Sequence, residues 1–240
     1  ARRGVEVAVV EVGLGGRWDA TNATEPVLSI LTNVALDHQA YLGDSLEAIA
    51  REKLCIGRAG RPLVVGPSLL PQWLAPFREC EMRLVRAPQM EGATLHWDHS
   101  LVQGHRLSLA GAHQIENLST AMEALHQLRN LGFQLPTEAV WSGLEACRWP
   151  GRLWQVPGLP GVWLDGAHNP HGARALAAHA LATQVRPHLF FGAMQDKDLA
   201  GMAAAFLAMK PASLTFIRGV QERYAEAPAL RAAWGREVAC

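Results

Sequence analysis

The 240-residue chain has no run of about twenty apolar residues, so it offers no candidate membrane-spanning helix, and its first residues lack the apolar core of a secretory signal. Cysteine is sparse: Cys55, Cys80, Cys147 and Cys240 stand far apart with no C-x-x-C pair, which excludes a close-spaced zinc or dithiol site and leaves reduced thiols of a cytoplasmic protein as the expectation. Charge of one sign is absent too. Twenty-two basic residues balance 22 acidic ones, so no overall field draws the chain to nucleic acid or to an anionic membrane, and small-molecule partners are expected. No internal repeat or low-complexity tract occurs. There is no Gly-Lys pair anywhere, which excludes the phosphate loop G-x-x-x-x-G-K-[ST] from these residues. Lysine itself is scarce: Lys53, Lys197 and Lys210 stand against nineteen arginines.

What remains is a globular composition, 49% hydrophobic and 18% charged, long enough for one large domain or two small ones. The chain opens Ala-Arg-Arg-Gly and enters an apolar run at Val5–Val12 that reads as a buried strand; with the abrupt end at Cys240, this is the pattern expected of a piece of a longer protein. Further strands are expected near Val27–Thr32 and at Pro62–Val65. A helix is expected from about Ser45, capped by Asp44 with Glu47 returning the capping-box bond, and it carries Lys53. Ala93–Leu109 reads as a hairpin, and His113–Leu131 and Thr137–Cys147 read as helices. Trp149-Pro150-Gly151-Arg152 breaks the helical run and marks a boundary between residues 1–148 and 149–240. Beyond it, strands near Val162–Leu164, His188–Phe191 and Ser213–Ile217 alternate with helices near Ala173–Ala182 and Leu199–Met209. The class is α/β, with a second, smaller parallel-sheet domain.

Five clusters carry the residue types of chemistry. The first, Glu11-Val12-Gly13-Leu14-Gly15-Gly16-Arg17-Trp18-Asp19-Ala20-Thr21-Asn22, sets a carboxylate at a strand end before a glycine-rich turn, where α/β sheets bind ligands; Trp18 stands where the dinucleotide fingerprint needs glycine. A tight turn with Glu11 in a salt bridge reads equally well. The second, Thr32-Asn33-Val34-Ala35-Leu36-Asp37-His38, again follows an apolar strand. Glu11 and His38 make a poor zinc site, yet with waters and phosphate oxygens they can complete a Mg²⁺ shell; the plainer alternative is a capping Asp37 and a structural histidine. The third is Arg51-Glu52-Lys53. Where arginine is the default cation, a retained lysine points to a need for its amine, which can lose its proton and react, and a carbamate there adds a carboxylate near a metal; an exposed helical lysine paired with an acid is the rival.

In the fourth, Gly111-Ala112-His113-Gln114-Ile115-Glu116-Asn117, the amides match the donor and acceptor edge of adenine or cap the helix. The fifth joins Pro150-Gly151-Arg152 to Leu164-Asp165-Gly166-Ala167-His168-Asn169-Pro170. An arginine, an acid and a histidine there can hold phosphate, a ribose hydroxyl and a developing charge, while Asn169-Pro170 also reads as turn chemistry before a helix.

Together and in this order, the clusters resemble the folylpolyglutamate synthase/dihydrofolate synthase family of the Mur-ligase superfamily, whose patterns read EVGLGG-x-x-D-A-T-N, T-N-x-x-x-D-H, EK, HQ-x-x-N, PGR and DGAHN. All six occur here and cover essentially the whole chain. The resemblance implies part of a P-loop-type central ATPase domain, without its phosphate loop, followed by a smaller Rossmann-like C-terminal domain. It implies Glu11 and His38 as Mg²⁺ ligands and Lys53 as a carbamylated lysine near a second metal. Trp18, Asp19 and Ala20 would meet the folate or pteroate, Asn117, Arg152 and Asp165 the ATP, and His168 the phosphates. Two departures stand out: Trp18 replaces the usual leucine, and Leu54-Cys55-Ile56 follows the lysine where the family has Ala-Gly.

The implied reaction is ATP-dependent ligation of glutamate to dihydropteroate or tetrahydrofolate: the acceptor carboxylate attacks the γ-phosphorus, and the glutamate amine displaces phosphate from the acyl phosphate. Such catalysis is positioning plus electrostatics in a site closed by two domains hinged at Pro150–Arg152. A monomeric cytoplasmic enzyme is implied, and this stretch alone, lacking the phosphate loop, is expected to be inactive. Another Mur-type amide ligase, a metal-dependent hydrolase using Glu11, His38 and Lys53, and a non-catalytic nucleotide- or folate-binding module are the alternatives.

Overall fold

A computed structural model describes residues 4–67, 69, 71–74, 81–84, 94–97, 100–103 and 108–235. The chain forms two compact units, Ala1–Met90 with Glu116–Leu135, and Glu91–Ile115 with Pro136–Cys240.

The first unit is built on a three-stranded parallel sheet: β1 (Ser29–Leu31), β2 (Pro62–Val65) and β3 (Glu81–Leu84), in that order. Parallel neighbours require crossovers, and helices supply them. Between β1 and β2 run α1 (Gln39–Leu42) and α2 (Leu46–Leu54), and α3 (Pro71–Leu74) precedes β3. Central β2 is buried at every position, which explains the unbroken Pro-Leu-Val-Val run; its proline occupies the first strand position, where a missing N–H costs least. Ile49, Ala50 and Leu54 of α2 pack with Leu31, Leu42, Leu63 and Val65 in one apolar cluster. The cap of α2 is Ser45, whose side chain accepts from the Ala48 amide at 3.2 Å, and not Asp44; Glu47 pairs instead with Arg51 at 2.8 Å, one helical turn on. A hydroxyl one residue nearer the helix reaches the orphan amide that Asp44 does not.

Val5–Val12 is the main departure from expectation. It lies in no strand and bends at Glu6, and Val5, Val7, Val9 and Val10 are exposed, Val9 at 97%. Apolar residues without a neighbouring backbone to complete a ladder leave their N–H and C=O groups to solvent, and among the described residues no strand pairs with this run.

A hairpin, β4 (Thr94–Trp97) and β5 (Ser100–Gln103), falls within the expected stretch, and α4 (His113–Asn130) and α5 (Thr137–Ala146) match the two expected helices to within a residue. In the second unit β6 (Trp154–Gln155) pairs antiparallel with β7 (Trp163–Leu164), so the Val162–Leu164 run joins a small hairpin and not the parallel sheet. That sheet is β8 (His188–Phe191) and β9 (Ser213–Phe216), with α6 (Pro170–Ala182), α7 (Leu199–Leu207) and α8 (Ala227–Trp234) interleaved. Ala173, Ala177 and Ala180 line the buried face of α6, small enough for α7 to approach closely. The core centres on Phe191, Phe206 and Trp234, with Phe206 stacked on Trp234 at 6.2 Å. Among the described residues no helix is long and apolar enough to cross a membrane.

Candidate active site

In the first unit, the first and third clusters meet at the glycine turn, which also lies against Leu42, four residues after His38. Gly15 lies against Leu42 of α1: a β-carbon there would sit 2.9 Å from the leucine methyl, and its positive φ of 69° suits glycine. Gly16 lies against the end of α2, where a β-carbon would sit 2.8 Å from the carbonyl oxygens of both Glu52 and Lys53. The Arg17 amide then donates to the Glu52 carbonyl at 3.1 Å, satisfying one of the orphan acceptors at the helix end. Its guanidinium Nε donates to the Glu52 carboxylate at 3.0 and 3.3 Å.

Asp19 shapes the turn from inside. One carboxylate oxygen accepts the amides of Gly13 and Leu14, both at 3.0 Å, and the other accepts the Thr21 amide at 3.0 Å and the Thr21 hydroxyl at 2.6 Å. The Thr21 hydroxyl, then the backbone amides, hold the carboxyl down at about 2. Asp19 thus caps the single 3-10 turn Ala20–Ala23, while Trp18 beside it is 88% exposed and Ala20 is exposed.

Lys53 is half-buried on the last turn of α2. Glu11 is exposed and, among the described residues, makes no hydrogen bond or ion pair. His38 takes a left-handed conformation, φ 52° and ψ 35°, immediately before α1; its amide donates to Asp37 Oδ1 at 2.9 Å, and its ring is partly exposed. A non-glycine residue held in this region is a mark of constrained, often functional, backbone. One carboxylate and one imidazole with accessible donor atoms fit a hard divalent cation whose shell is finished by water and phosphate oxygens. Among the described residues no group of three or more Asp, Glu, His and Cys gathers, so these side chains do not form an all-protein cage.

Sequence reasoning missed Arg58. Its Nη1 donates to the carbonyls of Cys55, Ile56 and Gly57, and its Nη2 donates to those of Asn22 at 2.6 Å and Thr24 at 3.0 Å. It ties the glycine-turn loop to the chain leaving α2. No periodicity or motif signals an arginine that bridges 36 residues through backbone oxygens; the same holds for the partnership of Arg17 and Glu52.

In the second unit, Gly111, at the start of the fourth cluster, meets the fifth cluster's turn at Leu153. The Asp165 carboxylate accepts the Leu153 amide on one oxygen and the Ala167 amide on the other, both at 2.8 Å, and the Gly166 amide donates to the Gly151 carbonyl at 2.7 Å. Buried Leu153, at a positive φ of 43°, touches Gly111 ahead of α4. Arg152 is exposed over Gly166, where a β-carbon would sit 2.7 Å from its Nη1. His168 is exposed with Nδ1 at 2.9 Å from the Gly166 carbonyl oxygen, and Asn169 caps α6 by accepting the Gly172 amide at 2.9 Å. Asn117 is exposed in the first turns of α4, and Gln114 is buried with its amide nitrogen 3.2 Å from His113 Nε2.

These features define an α/β protein with functional groups gathered on loops at strand and helix ends. The chain is 35% identical over 210 residues to the dihydrofolate synthase/folylpolyglutamate synthase of Escherichia coli, covering 83% of this chain and 48% of that one. Its fold matches a Mycobacterium tuberculosis folylpolyglutamate synthase complexed with ADP at a TM-score of 0.80 and 30% identity, over 98% of this chain and 56% of that one. It also matches a Yersinia pestis bifunctional folylpolyglutamate synthase/dihydrofolate synthase complexed with AMPPNP and Mn at a TM-score of 0.70 and 34% identity, over 91% and 54%. The chain belongs to the folylpolyglutamate synthase/dihydrofolate synthase family. No protein-family model matches it. The chain spans about half the length of the Escherichia coli, Lacticaseibacillus casei and Bacillus subtilis relatives it matches, and about a quarter of the Haloferax volcanii one.

Proposed function

We propose that the chain is the part of an ATP-dependent ligase that joins L-glutamate to dihydropteroate or tetrahydrofolate through an acyl phosphate. The observation that carries this reading is the seating of the Gly13–Gly16 turn between Leu42, four residues after His38, and the helix end that carries Lys53, in a chain 35% identical to the Escherichia coli enzyme. Glu11 and His38 hold Mg²⁺, which supplies charge neutralisation to the phosphates when bound. Lys53, as amine or carbamate, extends that polar site. Trp18, Asp19 and Ala20 form the loop that meets the folate, with Trp18 presenting its ring to solvent and Asp19 keeping the loop's shape. Asn117, Arg152 and Asp165 serve the nucleotide: Arg152 offers a guanidinium fork to phosphate, and Asp165 orders the turn that presents it. His168, exposed and with Nδ1 2.9 Å from the Gly166 carbonyl oxygen, serves the phosphates.

The same reading has residues 1–148 and 149–240 as separate domains of a monomeric cytoplasmic enzyme. The test is Mg²⁺- and ATP-dependent incorporation of labelled glutamate, into dihydropteroate and separately into tetrahydrofolate, by the protein expressed from its complete coding sequence. Incorporation lost in Glu11→Ala and in His38→Ala supports the ligase and names its acceptor. No incorporation with either acceptor, by folded protein that binds ATP, replaces it with another Mur-type amide ligase or a binding module.

A further inference from the structure

Arg17 grips one residue of α2 at two points. Its amide donates to the Glu52 carbonyl at 3.1 Å and its Nε to the Glu52 carboxylate at 3.0 Å, while the preceding Gly16 rests on the carbonyls of Glu52 and Lys53. A backbone bond alone fixes the height of a loop on a helix end, and the second, charged bond fixes its rotation about that point. The pair lies at the surface, with 47% of the Arg17 side chain and 28% of the Glu52 side chain accessible, so what it contributes is geometry more than charge energy. Six residues before Arg17 lies Glu11, and one residue after Glu52 lies Lys53. The grip therefore sets the spacing between the two segments that carry these groups.

We propose that Arg17, through Glu52, is the positioning residue that holds the Glu11-bearing loop in register with Lys53; this rests on the ligase reading of the site. Arg17 touches no reacting atom in this account. Its loss lets the glycine turn lift from α2, exposes Lys53 and loosens the catalytic geometry, a displacement of the size that costs about 10- to 100-fold in turnover.

The experiment uses the protein expressed from its complete coding sequence, as wild type, Arg17→Met, Glu52→Gln and the charge-swapped Arg17→Glu/Glu52→Arg. Two readouts are taken. Steady-state kinetics are expected to show kcat lowered about 10- to 100-fold in each single variant, with KM for the folate acceptor nearly unchanged, and recovered in the swapped pair. Acetylation rates at the three lysines, followed by peptide mapping, are expected to rise several-fold at Lys53 in the single variants. Lys197 and Lys210 serve as internal references: a general loosening of the fold raises all three alike, whereas release of the turn raises Lys53 alone. Unchanged Lys53 labelling in Arg17→Met, or equal rises at all three lysines, overturns the proposal. The labelling needs no turnover, so an inactive wild type defeats the ligase reading while leaving the register of Arg17 and Lys53 measurable.

Discussion

A β-carbon on Gly16 would lie 2.8 Å from the carbonyl oxygen of Lys53, closer than carbon and oxygen can rest without one of them moving. The obstacle is helix backbone and not the end of a flexible side chain, so the glycine is fixed by contact. Gly16→Ala is therefore expected to lift the turn and to lower stability by about 1–3 kcal/mol, the usual cost of overpacking a close contact. Thermal and urea unfolding measure it. A change smaller than about 0.5 kcal/mol would show that the turn has room to yield.

Arg58 acts on the same loop from the other side. Its five backbone bonds require a planar fork, which an ammonium cannot reproduce. Its side chain is 21% exposed, so the bonds are largely shielded. Both Arg58→Ala and Arg58→Lys are expected to lose about 1.5–3 kcal/mol, the range for hydrogen bonds to a charged group, as read from urea midpoints. Full retention of stability in Arg58→Lys would mean that charge alone holds the loop.

The acid limb of stability should report on Asp19. Its carboxyl titrates near 2 in the folded chain against an ordinary 3.8, because the Thr21 hydroxyl and three backbone amides favour the charged form. A depressed folded value contributes stability that is fully present above the unfolded value and lost as pH falls through the folded one. The contribution of Asp19 is thus expected to disappear between pH 3.8 and about 2. Asp19→Asn, which has no proton to take up there, should flatten the stability-pH curve in that window and leave it unchanged from pH 5 to 7. Denaturant midpoints across pH 2 to 7 check this, and parallel acid limbs in the two proteins would refute it.

The sequence made some of this plain and hid the rest for identifiable reasons. Pro62–Val65, α4 and α5 were legible because burial and helical period are local properties of the chain. Val5–Val12 looked like β2 in composition, yet a strand exists only with its neighbour, and pairing is not written in one segment. The glycine turn was legible as a tight turn behind a carboxylate. Its assembly was not: the contacts of Gly15 with Leu42, Gly16 with Lys53 and Arg17 with Glu52 join segments tens of residues apart with no shared periodicity. The role of Asp19 was half-legible. Its place in the motif pointed to the substrate loop, whereas its four short bonds within the loop show the part it plays in the fold.

Asp165 divides its two oxygens between the Leu153 and Ala167 amides, and this division makes a graded prediction possible. Leu153 is buried with its backbone in the left-handed region, a conformation that costs free energy for a branched side chain and persists because the surroundings hold it. Asp165→Asn keeps one acceptor oxygen and puts a donor where the second was, so one amide is satisfied and the other faces an N–H. Asp165→Ala leaves both without the carboxylate. An unsatisfied buried amide costs about 1–3 kcal/mol, so the alanine variant is expected to lose roughly twice what the asparagine variant loses. Amide hydrogen exchange separates the two sites: Asp165→Asn should speed exchange at one of Leu153 and Ala167, and Asp165→Ala at both. If Asp165→Ala leaves the Leu153 amide protected, the Pro150–Leu153 turn is held by the Gly151 and Gly166 backbone bond, and Asp165 is then free to serve the nucleotide alone.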